Sequence, residues 1–268
     1  MMDRMNIAGA VLLIVLVAAF IVASAAPILQ PKDKEAAQNF TLNSSEVSGV
    51  RYVNVNLESN ASDVELEFTN TSERVYTVET QRNSTGPVPG VKHAVNGENL
   101  NLNITMDTGT ARIILSNRYI YNITIRTKTG GLMVVLANDS RIENLNSTIQ
   151  YAGGGTVLIG NSTFRNASFR VNTGGFYIAD LHQNLRASGN LSTDVTIGGT
   201  ALAISPDNVL RITGSVDYGG IAFEPAGLRV IRNSTSYLEL EGSGKIGIIN
   251  RVGLGGVNVG VFRMPVAP

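Results

Sequence analysis

The chain has 268 residues, of which 43% are hydrophobic and 16% charged, so it resembles a packed globular protein more than a disordered one. It has no cysteine, which excludes a disulfide scaffold and a cysteine-ligated zinc site. The formal net charge is zero, but nine acids against four bases between Glu46 and Asp107 precede fourteen bases against nine acids between Arg112 and Arg263. An acidic segment is therefore followed by a basic one.

The N-terminus carries the first predicted element, an uncharged apolar run from Ile7 to Ala26. About 20 apolar residues span a bilayer as a helix, and Arg4 before them favours a cytoplasmic N-terminus. The sequence thus predicts a cytoplasmic stub (1–6), a transmembrane helix or signal anchor (7–29) and a polar stalk (30–49). The rival reading is a signal peptide cleaved after Ala25, which would make the protein secreted. Either way, the remaining chain is expected outside the cell.

Small-residue corners recur along the exported region, each followed by an apolar run. The run after Gly130 is Leu132–Leu136 and the run after Gly174 begins at Phe176. A period near 22 residues predicts a repeat architecture rather than separate sites. The predicted corners lie at Ser62, Gly86, Gly109, Gly131, Gly154, Gly175, Gly199, Gly220 and Ser243.

Each repeat reads as an alternating strand (B), a glycine corner and a second strand (A). The expected fold is therefore all-β, a single parallel β-helix or solenoid of about nine two-strand repeats over 50–263, with a C-terminal tail at 264–268. The A strands from Ile113 onward are apolar on both faces, so a further layer or a second molecule is expected to cover them. Gly242–Gly247 matches G-x-G-x-x-G, but no helical pattern follows, so a structural corner is favoured over a nucleotide site.

The corner-and-strand segments GGLMVVL, GGTVLI, GGFYIAD and GGTALAI resemble the family of prokaryotic cell-surface β-solenoid domains classed as adhesins. The resemblance covers about residues 50–263. It implies a β-solenoid head domain, membrane-anchored in some members, with an adhesive role at the cell surface. It carries no catalytic positions.

N-glycosylation sequons are frequent in the chain, and several of their asparagines alternate with apolar residues, as an outward-facing position requires. The alternative is that an Asn- and Thr-rich outer strand face produces the motif without glycans. Together with the anchor and the absence of cysteine, the sequons suggest an archaeal-like surface glycoprotein. The candidate asparagines are Asn39, Asn43, Asn60, Asn70, Asn83, Asn103, Asn122, Asn138, Asn146, Asn161, Asn166, Asn190 and Asn233.

Arginines follow most corners by a similar interval and would stack near one edge. Such an edge could bind an anionic polymer through carboxylate, sulfate or phosphate groups. The alternative is local pairing of each arginine with a nearby acid or carbonyl. The candidate edge comprises Arg118, Arg141, Arg165, Arg186, Arg211, Arg232 and Arg251.

Little in the sequence indicates catalysis. The aspartates fall at different phases of the repeat, His93 and His182 are isolated, and no metal-spaced cluster occurs. The expected function is a membrane-anchored, glycosylated, non-enzymatic adhesin-like module, without cofactor, metal or nucleic acid. Its expected partners are the membrane (Ile7–Leu29) and an anionic surface polysaccharide or another surface protein. A polysaccharide lyase or hydrolase and a self-stacking structural subunit remain alternatives, and a homo-oligomer is compatible with each.

Overall fold

A computed structural model describes residues 37–82, 87–182, 185–224 and 227–260. These residues form strands, turns and one short 3-10 turn, so the prediction of an all-β fold is confirmed. The strands are β1 (Gln38–Asn43), β2 (Tyr52–Thr69), β3 (Arg74–Arg82), β4 (Gly90–Asn96), β5 (Asn99–Ser116), β6 (Ile120–Leu136), β7 (Ser140–Ile159), β8 (Ser162–Asp180), β9 (Ser188–Ala203), β10 (Val209–Phe223), β11 (Arg229–Asn233), β12 (Tyr237–Glu241) and β13 (Ile246–Gly260).

The predicted B and A strands are two halves of one long strand, joined at a corner. This holds for β2, β5, β6, β7, β8, β9, β10 and β13. Gly153 pairs with Gly130 on one side and with Gly174 on the other, so the corners of neighbouring strands lie in register. We call the line of these glycines the corner edge. The opposite edge, where a short turn connects each A half to the next B half, is the turn edge.

Glycine is required at the corners because the backbone there has positive φ and the strands approach closely. Gly174 has φ 138°, and a Cβ at this position would overlap the carbonyl oxygen of Gly153. A side chain would thus be strained and would also displace the neighbouring strand. The triple glycine of β7 is a structural corner.

The core lies between the B halves and the A halves. Phe68 in an A half and Tyr121 in a B half meet edge to face with ring centroids 5.3 Å apart. Phe169 and Phe176, from the two halves of β8, lie 5.7 Å apart. Inward residues alternate with outward ones: Tyr121 and Ile123 are buried, whereas Asn122 is partly exposed. This alternation builds one continuous hydrophobic cluster.

Strand order in the sheet is β1-β3-β5-β2-β6-β7-β8-β9-β13-β10-β12-β11, with β4 also paired to β5. The eight long strands are mutually parallel. Strands β1, β3, β4, β11 and β12 form antiparallel pairs at the two ends. The sheet is therefore mixed, and the prediction of a single, wholly parallel solenoid is not confirmed. The order also departs from the chain order near both ends, since β2 lies between β5 and β6, and β13 lies between β9 and β10.

Two predicted corners differ from the structure or fall outside it. The segment Gly242–Lys245 is the turn before β13, and the corner of that strand is Gly255, in register with Gly198 and Gly219. The predicted corner at Ser243 is therefore wrong. The B half of β13 begins only at Ile246, after the antiparallel strands β11 and β12, so the corner follows at Gly255. Gly86 lies outside the described residues.

The predicted membrane span, Ile7–Leu29, also lies outside the described residues. Within the residues that are described, no helix is long and apolar enough to cross a membrane. Strand β1 occupies residues 38–43 of the predicted stalk and pairs with β3. The outer face of the A halves is partly exposed, with Met133 at 36% and Tyr177 at 41%.

Candidate functional site

Basic side chains from neighbouring strands lie together at the turn edge. Ile120 pairs with Arg141, Arg141 pairs with Thr163, and Thr163 pairs with Ser188. Ile246, which follows Lys245, pairs with Gly189. The starts of successive B halves are therefore aligned, and each carries a cation within two or three residues. We define the basic edge as Arg51, Arg118, Arg141, Arg165, Arg186 and Lys245, which lie just before or within the first turn-side residues of β2, β6, β7, β8, β9 and β13, in sheet order.

The arginines of the basic edge also make local contacts. Arg141 Nη2 donates to the carbonyl of Arg118 at 2.7 Å, and Arg118 Nη1 donates to the carbonyl of Ser72 at 3.2 Å. These bonds hold two guanidinium groups without neutralising them. They also show that the Arg141 side chain reaches the backbone of the preceding turn.

Carboxylates offset part of this charge. Glu143 lies 3.8 Å from Arg165, Asp139 lies 3.9 Å from Arg186, and Glu98 lies 3.7 Å from Arg51. The arginine side chains are more than 60% exposed in all three pairs. Exposed pairs at such distances stabilise by about 0–1 kcal/mol, so a stronger anion can replace the carboxylate.

One predicted arginine, Arg211, continues this line beyond Lys245. It is in register with Gly247, at the start of the B half of β10, and pairs with Glu239 of β12 at 3.5 Å.

Two predicted arginines lie elsewhere. Arg232 lies on the terminal strand β11, and Arg251 lies on the outer face of a B half, in register with Asp194. The interval from the glycines does not predict their positions, because β11 and β12 follow β10 and the next corner comes only at Gly255. For the same reason sequence reasoning missed Lys245, which directly precedes a B half as the aligned arginines nearly do.

An asparagine ladder crosses the outer face of the B halves. Asn54 donates to Asn101 at 2.9 Å, and Asn122 donates to Asn54 at 3.2 Å. Asn144 donates to Asn122 at 3.1 Å, and Asn166 donates to Asn144 at 3.3 Å. The three inner amides, of Asn54, Asn122 and Asn144, each use one N–H and one lone pair in the ladder, and their second N–H stays available to solvent or ligand. Sequence reasoning noted only Asn122 and Asn166 of this ladder, and only as sequons, although the spacing of these asparagines by one repeat was a signal for stacking.

The sequon asparagines in the described residues are exposed, except for Asn122 and Asn161, which are half-buried. Asn122 and Asn166 belong to the ladder, whereas Asn103 and Asn146 occupy the neighbouring outward row. Asn60 donates to Asp107 at 2.6 Å, Asn43 donates to Glu46 at 2.7 Å, and Asn161 accepts the backbone N–H of Arg186 at 2.9 Å. Asn39, Asn70, Asn138, Asn190 and Asn233 lie on strands or turns at the surface, and Asn83 lies outside the described residues.

Among the acids, Asp180 at the end of β8 stands apart. Its Oδ2 accepts the backbone N–H of Ser205 at 2.8 Å and the side-chain amide of Asn208 at 2.6 Å. Burial raises the pKa of Asp180 to about 6, although these two bonds and nearby His182 act in the opposite direction. Asn208, 3% exposed, also accepts the N–H of Leu185 at 2.9 Å. Asp180 thus ties the turn that leads from β9 to β10.

The remaining titratable groups are dispersed. His93 Nδ1 lies 2.9 Å from the hydroxyl of Tyr76, an interaction that links β4 to β3. Within the described ranges, no three His, Asp or Glu side chains are grouped as metal ligands. A depression of about 380 Å³ at the turn edge is lined by residues that include Arg186, Asp207, Asn208, Ser243 and Lys245.

Comparison with known proteins supports the architecture. No family model matches the chain, and no curated protein is significantly similar to it. A crystal structure of a protein from Clostridium sporogenes ATCC 15579, provisionally described as a cell adhesion protein, is similar with a TM-score of 0.53 and 12% identity. The match covers 86% of this chain and 100% of that one. A provisionally described adhesin from Parabacteroides merdae ATCC 43184 aligns over 85% of this chain and 96% of its own, with 10% identity and a TM-score of 0.27. The first likeness shows a shared fold.

Proposed function

We propose that this protein is a non-enzymatic, adhesin-like surface module that binds an anionic polymer along its basic edge. The observation that carries the proposal is the alignment of six cations from six neighbouring strands at one edge. Neighbouring strands are about 4.8 Å apart, so the cations are spaced closely and repel one another. An extended polyanion relieves this repulsion along the whole edge, whereas isolated acids relieve it only locally.

The ligand class follows from the side chains. Five of the six cations are arginines, whose planar guanidinium groups bind carboxylate, sulfate or phosphate oxygens in a bidentate manner. Arg118 and Arg141 bind only carbonyls among their described contacts, so an incoming anion displaces no carboxylate there. An acidic polysaccharide of the cell envelope meets these requirements. The fold shared with the Clostridium protein provisionally described as a cell adhesion protein is compatible with this role.

The module is proposed to be displayed outside the cell, held by Ile7–Leu29 in the membrane and N-glycosylated on outward asparagines. Glycans on exposed asparagines, such as Asn103 and Asn190, would project away from the sheet. Glycopeptide mass spectrometry of protein from the native host tests this at Asn103, Asn122 and Asn190. Unmodified peptides at all three positions would leave the sequons as outer-face composition.

Polymer binding is tested by replacing Arg141, Arg165 and Arg186 with glutamine. Retention on an immobilised acidic polysaccharide is expected to fall at least tenfold, and to fall with added salt in the wild type, because exposed charges are screened within about 8 Å at physiological ionic strength. The matched control replaces Arg126, Arg232 and Arg251 with glutamine, which removes the same charge from outside the basic edge. Equal losses in the two triple variants, or retention that is indifferent to salt, would contradict the proposal.

A further inference from the structure

The basic edge becomes irregular toward the C-terminal end of the sheet, where the connections at the turn edge lengthen. Three residues (137–139) connect β6 to β7, and two (160–161) connect β7 to β8. Seven residues (181–187) precede β9, five (204–208) precede β10 and four (242–245) precede β13. Strand β13 lies between β9 and β10, so these longer connections belong to three neighbouring strands. Residues of all three line the depression of about 380 Å³.

The buried side of this depression is held by hydrogen bonds within the protein. Asn208, 3% exposed, donates its side-chain amide to Asp180 Oδ2 at 2.6 Å and accepts the N–H of Leu185 at 2.9 Å. The backbone of Gly244 packs directly on that of Asn208, since a Cβ on this glycine would overlap the Asn208 carbonyl. The four N–H groups of residues 242–245 are bonded to backbone carbonyls. A ligand therefore meets preformed walls, and it must bind through side chains.

Opposite charges line the depression without pairing with each other. Among the residues that the structure describes, Lys245 takes part in no ion pair, and neither does Asp207, whose Oδ1 lies 3.5 Å from the Ser243 hydroxyl. The second cation, Arg186, approaches Asp139 only to 3.9 Å, and its side chain is 79% exposed. The two cations and the carboxylate of Asp207 are thus all free to bind a ligand. The depression offers a positively charged donor side and a negatively charged acceptor side.

This combination of groups discriminates among anions. The guanidinium of Arg186 fits a carboxylate in a bidentate manner, and Lys245 supplies a second positive charge. Asp207 accepts hydrogen bonds from hydroxyl groups but repels a second negative charge, which disfavours a phosphate dianion. None of the described lining residues is aromatic, so recognition depends on hydrogen bonds and charge. A ligand with one carboxylate and several hydroxyl groups meets these requirements.

We propose that the depression is a subsite for one hexuronate unit of an acidic polysaccharide. The carboxylate of the sugar binds Arg186 and Lys245, and its ring hydroxyls bind Asp207 and Ser243. We call these four residues the uronate subsite. The volume of about 380 Å³ lies at the lower end of the range for small-ligand pockets, about 300–1,000 Å³. The inference rests on the proposed function, because it names the chemical class of the polymer that the basic edge binds.

Asp207→Asn in the full chain separates a shaped subsite from simple charge attraction. The substitution removes a negative charge, so an edge that attracts anions by charge alone would bind them as tightly as before or more tightly. The uronate subsite instead loses its charged acceptor. The dissociation constant for D-galacturonate, measured by ligand-observed NMR titration, is expected to rise about fivefold, because a neutral amide accepts hydrogen bonds less strongly than a carboxylate.

The matched control is Glu143→Gln, which removes an exposed carboxylate of the same edge. Glu143 lies 3.8 Å from Arg165, outside the depression, so the affinity for D-galacturonate should not fall in this variant. Lys245→Gln should raise the dissociation constant about tenfold, because it removes a charge-assisted hydrogen bond. An unchanged midpoint of thermal unfolding checks that each variant is folded.

Two further probes test the selectivity of the subsite. D-galactose has a hydroxymethyl group in place of the carboxylate, and inorganic phosphate has no sugar hydroxyls. Both are expected to bind the wild type at least about fivefold more weakly than D-galacturonate does. Phosphate that binds as tightly as D-galacturonate, or Asp207→Asn that binds D-galacturonate as tightly as the wild type, would overturn the subsite.

Retention of the same proteins on an immobilised acidic polysaccharide distinguishes this inference from the proposed function. Salt-dependent retention of the wild type without binding of D-galacturonate would overturn the subsite and leave the basic edge as a polymer-binding surface. Binding of D-galacturonate without retention on the polymer would support the subsite and contradict the proposed function.

Discussion

The two ends of the sheet differ in how antiparallel strands cover the last layer of the core. At the N-terminal end, β3 and β1 cover the A half of β5 and β4 covers its B half. At the C-terminal end, among the residues that the structure describes, β12 and β11 cover the B half of β10 and no strand pairs with the free side of its A half. Leu42 in the last A-layer strand of the N-terminal end is 2% exposed, whereas Phe223 at the other end is only partly buried. Antiparallel end strands therefore decide whether the last core layer is closed.

The largest expected difference in the free energy of unfolding is between glycine-to-alanine changes in the interior of the sheet and at its C-terminal end. Gly198 has φ 136°, and a Cβ there would overlap the carbonyl oxygen of Gly174, whereas a Cβ at Gly220 meets no atom within 4 Å. Gly198→Ala is expected to lower the free energy of unfolding by more than about 4 kcal/mol, or to prevent folding. Gly220→Ala should change it by no more than about 0.5 kcal/mol. Urea denaturation measures both, and equal costs would contradict the close packing of corners.

The next prediction compares the stability cost of removing a core side chain from the last core layer at each end of the sheet. Leu42→Ala is expected to cost about 2–5 kcal/mol because it leaves a cavity under β1. Phe223→Ala should cost clearly less, because Phe223 at the other end is only partly buried. Thermal and urea unfolding of the two variants and the wild type decide this, and equal costs would contradict the difference between the two ends.

A pH dependence is expected at the C-terminal end because the turn leading to β10 is held by an acid. The pKa of Asp180, about 6, is above its ordinary value of 3.8, so the folded state binds the proton more tightly. Stability from this group is therefore gained as pH falls through about 6 and lost as pH rises, by at most about 3 kcal/mol. At the N-terminal end the corresponding contacts are neutral, such as Ser116 Oγ donating to the Thr71 carbonyl at 2.7 Å.

The measurement is the free energy of unfolding at pH 4.5 and pH 7.5 for the wild type and Asp180→Asn. The difference between the two proteins should change with pH in favour of the wild type at the lower value. A difference that stays constant would show that Asp180 does not titrate in this range.

The smallest effect concerns the asparagine ladder. Asn144 has ladder partners on both sides, so Asn144→Ala should cost about 0.5–1.5 kcal/mol. Asn146→Ala, in the neighbouring exposed row, should cost less than about 0.5 kcal/mol. Chemical denaturation of both variants compares them, and equal values would leave the ladder without a stabilising role.

Much of the local structure was readable from the residues. Alternation such as Tyr121-Asn122-Ile123 marks inward and outward positions, and the glycines at 130, 153, 174, 198 and 219 mark the corners. Both signals are local, because side-chain direction alternates along any strand and positive φ favours glycine. The candidate basic edge was only partly readable. Arg118, Arg141, Arg165 and Arg186 follow chain order, while Lys245 joins them through the inserted strand β13.

The sequence is thus sufficient for the all-β class, the corners and the inward face of each strand, because these follow from the residues within one repeat. Only the tertiary structure decides which repeat lies beside which. Every long strand offers the same backbone hydrogen bonds and a similar apolar face, so the repeats do not specify their own neighbours. That choice depends on contacts far apart in the chain, such as β2 with β6 or β9 with β13. It assigns Lys245 to the basic edge, places Arg232 and Arg251 away from it, and leaves the A half of β10 as the last A-layer strand at the C-terminal end of the described structure.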